Sequence, residues 1–263
     1  MIKNIKIGTD SELFMKHKGS VISMIGLLGG TKDTPKSIGE NCFVQEDNIL
    51  AEFNIPPVTT KMAFLYYINY CKDWLEINYP ELELHFASSE KIDDYILLDN
   101  NTKNFGCEPD YIIDLHKRTD EYKVRELKRI NNKITISKIR TTGLHIHISY
   151  NNPTYEINRE IVKLFEKYVT MPLVLLDLDN YNRRKLYGQS GSYRHKSYGV
   201  ECRSLGGYFL ANDKKIGLVW EKVMDVINKF NLGERVTYKE FKKIKNYINN
   251  KKIKTIKQIC VDY

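Results

Sequence analysis

Residues Gly143 to Tyr150 read GLHIHISY. His145 and His147 fall on one side of a two-residue period and Leu144, Ile146 and Ile148 on the other, which is the pattern of a strand with one apolar face. A His-x-His pair on the remaining face is suited to a metal ion or to phosphate oxygens. Two structural histidines so placed would each need a partner of its own, so the pairing favours a functional face.

The same period recurs upstream. In Ile5 to Met15, IKIGTDSELFM, Ile5 and Ile7 alternate with Lys6, and Asp10, Glu12 and Phe14 continue the period on the opposite face. Two carboxylates side by side repel unless a cation or hydrogen-bond donors lie between them. Asn41 to Pro57, NCFVQEDNILAEFNIPP, reads as a hairpin turning at Glu46-Asp47-Asn48 and stopped by Pro56-Pro57. Glu52 lies mid-strand, either in a barrel-like interior or on a wet face. Leu82 to Ala87 and Lys133 to Ile139 are further alternating strands, with His85 an ordinary structural residue.

Helical spacing marks Lys61 to Asn78, ended by Pro80, and Asp213 to Phe230. A third helix opens at Asn152-Pro153, with Asn as cap and Pro in the first turn, and runs to about Val169. Lysine-rich amphipathic helices follow from Tyr238. Gly26 to Gly39 looks like a flexible loop; it lacks the terminal Gly-Lys-Ser/Thr of a phosphate-cradling loop. In Asn104 to Asp114, Glu108 and Asp110 flank Pro109 in a turn. With no internal repeat or linker, one compact α+β domain is expected, its catalytic part at 1–230 and a helical lysine-rich extension at 231–263 packed on it.

The 263 residues are 42% hydrophobic, enough for a substantial core. No run approaches a membrane span, and the N-terminus carries no apolar signal core, so a cytoplasmic protein is expected. The five cysteines are scattered without a Cys-x-x-Cys pair, which points to reduced thiols rather than structural zinc. The net charge of +8 suits a phosphate-bearing partner, although a chain rich in Lys, Ile and Asn together needs no functional cause for it. The local arginines carry more weight. RRKLYGQSGSYRHKSYGVECR, from Arg183 to Arg203, holds Arg183, Arg184, Lys185, Arg194, His195, Lys196 and Arg203, and closes on Glu201-x-Arg203. Rigid bidentate donors on turns suit phosphate or carboxylate recognition. A carboxylate inside so basic a stretch implies a bound cation or an internal ion pair. Arg140 adds another candidate anion contact.

Taken in order, GTDSE, GCEPDY, RTTGLHIHIS, LDNYNRRKLYGQSGSYR and KSYGVECRSL, between residues 5 and 210, resemble the carboxylate–amine ligases of the glutamine synthetase and glutamate–cysteine ligase superfamily. Within it they look most like the phage-type amidoligase family. The resemblance implies a curved, mostly antiparallel sheet of glutamine synthetase-like catalytic type flanked by helices. It implies ATP and two or more Mg²⁺ ions, with Mn²⁺ an alternative, and small-molecule or peptide carboxylate and amine substrates. Asp10, Glu12, Glu52, His145 and Glu201 would be metal ligands. Glu201, Arg194 and Arg203 would be catalytic, the arginines holding the transferring phosphoryl group and the substrate carboxylate. His147, Arg140, Arg184 and Lys196 would bind ATP or substrate, while Arg183, Lys185 and His195 would be structural. Asp10 stands where the synthetases have Glu, and a further carboxylate near Glu52 would be Glu46 or Asp47, which spacing leaves open. The phosphate arginines of the synthetases sit closer together than Arg184 and Arg194.

Two other classes use the same residue types. One is a metal-dependent hydrolase or phosphotransferase. The other is a non-enzymatic basic nucleic-acid-binding protein, a less favoured reading. The ligase itself is expected in the cytoplasm, that of the host if phage-encoded.

Overall fold

A computed structural model describes residues 1–99, 102, 111–112, 138–177 and 180–250. Among these, the strands are β1 (Lys6–His17), β2 (Ser20–Ile22), β3 (Lys36–Gly39), β4 (Cys42–Asp47), β5 (Leu50–Asn54), β6 (Glu83–His85), β7 (Ser89–Lys91), β8 (Tyr111–Ile112), β9 (Ile139–Thr141), β10 (Leu144–Ser149), β11 (Ser192–Lys196) and β12 (Gly199–Leu205). The longer helices are α1 (Lys61–Asn78), α2 (Tyr155–Phe165), α3 (Asn180–Leu186), α4 (Asp213–Asn231) and α5 (Tyr238–Asn250).

The main sheet is open, with strand order β3-β4-β5-β1-β10-β12-β11-β8 and with β2 and β6 also pairing β1. Every described pairing in it is antiparallel. A separate two-stranded sheet joins β7 to β9. The chain is therefore an α+β protein with a mostly antiparallel open sheet.

Alternation divides the sheet into two faces. Ile7, Leu13, Val44, Ala51, Phe53, Ile146, Ile148, Val200 and Cys202 share one buried core with residues of all the helices except α3. Against them α1 packs Phe64, Ile68, Cys71 and Leu75, α2 packs Ile161 and Phe165, and α4 packs Ile216, Val219 and Val223. Phe241, Ile244 and Ile248 of α5 join the same core. The opposite face is polar in its middle and is closed at one end by a second cluster that contains Phe14 and Leu50. No described helix is long and apolar enough to cross a membrane.

Local details differ from the sequence reading. The Thr154 side chain, not Asn152, caps α2 by accepting from the Ile157 amide at 3.2 Å. That helix ends at Phe165, and a π-helical turn (Glu166–Thr170) follows. The Gly26–Gly39 stretch ends in a strand, β3, and Glu46 holds its earlier part by accepting from the amides of Gly26 at 3.0 Å and Gly29 at 3.3 Å. The expected turn at Glu46-Asp47-Asn48 falls later, since β4 runs through Asp47 and Asn48 turns with φ 58°. Most of the Lys133–Ile139 strand, together with Glu108, Asp110 and residues 251–263, lies outside the described residues.

Candidate active site

Register places the polar groups in rows. On β1, Asp10 lies opposite His145 of β10 and Asn54 of β5, and Glu12 lies opposite Glu52. Glu52 in turn faces Gln45 of β4, His147 faces Glu201 of β12, and Glu201 faces Arg194 of β11. Residues two apart on a strand share a face, so Gln45 and Asp47, Glu52 and Asn54, Asp10 and Glu12, His145 and His147, and Arg194 and Lys196 all point the same way. One half of the face is thus acidic and the other basic.

A register shift between β10 and β12 sets the boundary of the basic half. Two steps on β10, from Leu144 to Ile146, span three on β12, from Leu205 to Cys202. Alternation puts Arg203 beside Glu201 on the polar face, and the extra residue brings Leu205 into the core with Cys202. The loosened carbonyls are satisfied by Arg183, which is fully buried and donates to Ser204 O at 2.8 Å, Arg203 O at 3.1 Å and Thr142 O at 2.6 Å. Gly188, at φ 65°, lies against that guanidinium, and a Cβ there would run into it. Arg183 thus spends its donors on backbone carbonyls. The Lys185 ammonium lies 4.4 Å from the Tyr181 ring, and His195 packs on Tyr155 and pairs with Asn158.

Two groups of ligand atoms form, Asp10–His145–Glu201 and Glu12–Asp47–Glu52, each with its atoms within 4.8 Å of one another. His145 sits between them, Nε2 3.8 Å from Glu12 Oε1 and Nδ1 3.8 Å from Glu201 Oε1. Gly143 lies so near His145 that a side chain there would displace the ring, and its amide donates to Glu12 Oε2 at 2.6 Å. Of the two carboxylates left open by spacing, Asp47 joins the acidic group, with Lys32 3.2 Å away, and Glu46 faces the other side.

Electrostatics follow from this crowding. Burial pushes the Glu52 carboxyl well above the ordinary range, and the charges of Asp47, Glu12 and Asp10 push it further against the Gln45 hydrogen bond. Burial would also raise Asp10, but the adjacent His147, its hydrogen bond, Lys196 and Arg203 outweigh it and leave the carboxyl low. His145 is driven well below the usual imidazole range by burial first, then by Arg203, Arg183, His147 and Arg194. A neutral imidazole is what metal ligation requires.

Glu201, completely buried, pairs with Arg203, with Lys196 at 3.1 Å and with Arg194 at 3.6 Å. Arg203 also donates to the Tyr187 hydroxyl. His147 bridges Asp10, at 3.0 Å through Nε2, and the Tyr198 hydroxyl through Nδ1. Beside these groups a cavity of about 360 Å³ opens between β1, β10 and the segment that follows β5, lined among others by Lys6, Asp10, Ile55, Pro57, His147 and Tyr198.

The expected residues are not all gathered here. Arg140 lies on β9 in the small sheet, buried, and donates to Thr102 O at 2.8 Å and Ile139 O at 3.0 Å; burial lowers its pKa. Arg184 lies on α3, donates to Asn180 Oδ1 at 2.8 Å and is drawn down to about 10 by burial. Neither belongs to the group around Glu201. The sequence reading missed Asn54, whose amide donates to Asp10 Oδ1 at 3.1 Å, and the two tyrosines. Alternation from Glu52 would have put Asn54 on the right face. Nothing local in the sequence singled out Tyr187 or Tyr198.

The fold and site together define an α+β protein whose open antiparallel sheet carries acidic and basic groups on one face. Its family follows from the sequence: the model of the "Phage phiEco32-like COOH.NH2 ligase-type 2" family matches residues 122–259, more than half of the chain, and the chain belongs to that family. No curated protein matches. A solved structure titled "Crystal structure of novel glutamine synthase homolog" aligns with 8% identity and a TM-score of 0.42, over 98% of this chain and 63% of that one. This chain thus spans less than two thirds of that protein's length.

Proposed function

We propose that this chain is an ATP-dependent ligase that joins a carboxylate to an amine through an acyl phosphate. The observation that carries the reading is the convergence, on one sheet face of a COOH–NH2 ligase family member, of two carboxylate groups with Arg203, Arg194 and Lys196 beside them. The donor set fits Mg²⁺, with Mn²⁺ an alternative, because it is mostly hard carboxylate oxygen. Two buried atoms support that fit: Glu52 Oε2 and His145 Nε2 have no hydrogen-bond partner among the described residues. Such ions would neutralise the gathered charge and bind phosphate oxygens.

The chain's own residues divide the remaining work. Asp10, His145 and Glu201 would hold one ion, and Glu12, Asp47 and Glu52 another. Arg203, Arg194 and Lys196 would supply positive charge where the phosphoryl group moves and where the substrate carboxylate waits. The cavity beside Asp10 and His147 would take the nucleoside. A carboxylate oxygen then attacks the γ-phosphorus as ADP leaves. The amine nitrogen attacks the acyl carbon, the carbon–oxygen bond to phosphate breaks, and the nitrogen loses its proton. Residues 1–230 would carry this chemistry and 231–263 an appended helical region, in the cytoplasm.

Release of ADP and phosphate should require both a carboxylic acid and an amine. Equal phosphate release without amine would instead identify a hydrolase. Nucleic-acid affinity that falls steeply with salt and needs no Mg²⁺ would identify the binding protein.

A further inference from the structure

Tyr198 stands in the tight connection between β11 and β12, and its carbonyl ties that turn to the end of β10 by accepting the Tyr150 amide at 3.0 Å. The residue is 39% exposed, and its ring lies at 20° to the His147 ring with centroids 6.0 Å apart. Its hydroxyl bonds to His147 Nδ1. Tyr198 also lines the cavity of about 360 Å³, to which Ile55 and Pro57 contribute apolar wall and Lys6, Thr9, Asp10 and Ser149 the polar part.

These positions have a joint consequence. With one imidazole nitrogen held by Tyr198 and the other 3.0 Å from Asp10, the His147 ring can neither flip nor swing without breaking one contact. The cavity meanwhile offers a flat aromatic surface and the apolar side chains of Ile55 and Pro57, with Lys6 and Asp10 among its polar lining, which suits a planar heterocycle that carries polar ring atoms.

We propose that Tyr198 is a specificity residue with two separable parts, a ring on which the base of the bound nucleotide stacks and a hydroxyl that fixes His147 toward Asp10. This rests on the ATP-dependent reading above. It assigns the purine to the cavity and leaves the triphosphate to the charged half of the face.

The test is equilibrium binding in Mg²⁺ of two probes, ATP and inorganic tripolyphosphate, to the full chain and to Tyr198→Ala and Tyr198→Phe. Tyr198→Ala should weaken ATP by about tenfold, within what one base–aromatic stack contributes, and leave tripolyphosphate unchanged. Tyr198→Phe should keep ATP affinity within about twofold, since the ring remains, and lower kcat more than it raises KM for ATP. Equal loss for both probes in Tyr198→Ala, or no loss for ATP, would overturn the proposal. A wild-type chain that binds neither probe would overturn the ATP reading and this inference with it. A wild-type chain that binds ATP while Tyr198→Ala binds it equally well would overturn the inference alone.

Discussion

The two faces of the same strands are built to opposite ends. On β1, Ile7 and Leu13 lie in the core under α1, α2 and α4, while at the alternate positions Asp10 and Glu12 face a row of other ionisable groups. The apolar face gains from burial at each position. The polar face concentrates carboxylates until Glu52 resists ionisation, an arrangement that opposes folding and has value only if something binds there. Substitutions on one face should therefore damage stability and spare chemistry, and substitutions on the other should do the reverse.

The largest effects belong to the polar face. Glu12→Gln and Glu201→Gln should bring turnover to background with the far-ultraviolet dichroism of the wild type, because each takes one charge from a proposed ion site. Arg203→Met should lower kcat by about 10²–10³-fold, the range for losing one charge-stabilising donor. Wild-type rates in either Gln variant, with an unchanged Mg²⁺ requirement, would dissolve the distinction between the faces.

Ile146→Ala makes the reciprocal change one residue from His145 and His147. It should lower unfolding free energy by about 2–5 kcal/mol in urea titrations, with kcat nearly kept below the transition. Smaller still is the response to metal. Glu52→Gln should raise the melting temperature of the metal-free chain by about 2–4 °C, as expected for relief of about 1 kcal/mol in a chain of this length. Mg²⁺ should raise the melting temperature of the wild type, and Glu52→Gln should abolish that rise. A Mg²⁺ increment equal to that of the wild type would remove Glu52 from the ion site.

The smallest effect lies on the core side. Glu166 is fully buried beneath β12, accepts from Ser190 Oγ at 2.8 Å and is pushed up by burial. A raised carboxyl keeps its proton in the folded state over a window where the unfolded chain has already lost it. Wild-type stability should therefore fall as pH rises through that window, relative to Glu166→Gln, which has no proton to lose. Below the ordinary carboxylate range the difference should be smallest. Urea midpoints from acid to neutral pH would measure it.

The faces were legible in the sequence because strand alternation is a local property. Asp10-x-Glu12 and His145-x-His147 could be assigned to one side each without knowing any neighbour. Asp47 could not be chosen over Glu46, since that choice depends on where the hairpin turns, and β4 runs on through Asp47 before the chain turns at Asn48. Arg140 and Arg184 were indistinguishable from Arg194 and Arg203 by type. Their direction is decided by Thr102 and Ile139 carbonyls and by Asn180, which only the assembled chain brings near. Tyr187 and Tyr198 were missed for the same reason, because their hydroxyls matter only once the β12 shift and the β11–β12 turn have set Arg203 and His147 in place.

The central claim is that a carboxylate on the polar face is activated by phosphoryl transfer before an amine displaces phosphate. It is tested most directly by incubating the protein with ATP, Mg²⁺ and a mixed library of amines and ¹⁸O-labelled carboxylic acids, then weighing the products and the released phosphate. An amide product together with phosphate carrying one ¹⁸O from the acid is the predicted result. Unlabelled phosphate, or phosphate released at the same rate with the amines left out, would contradict it.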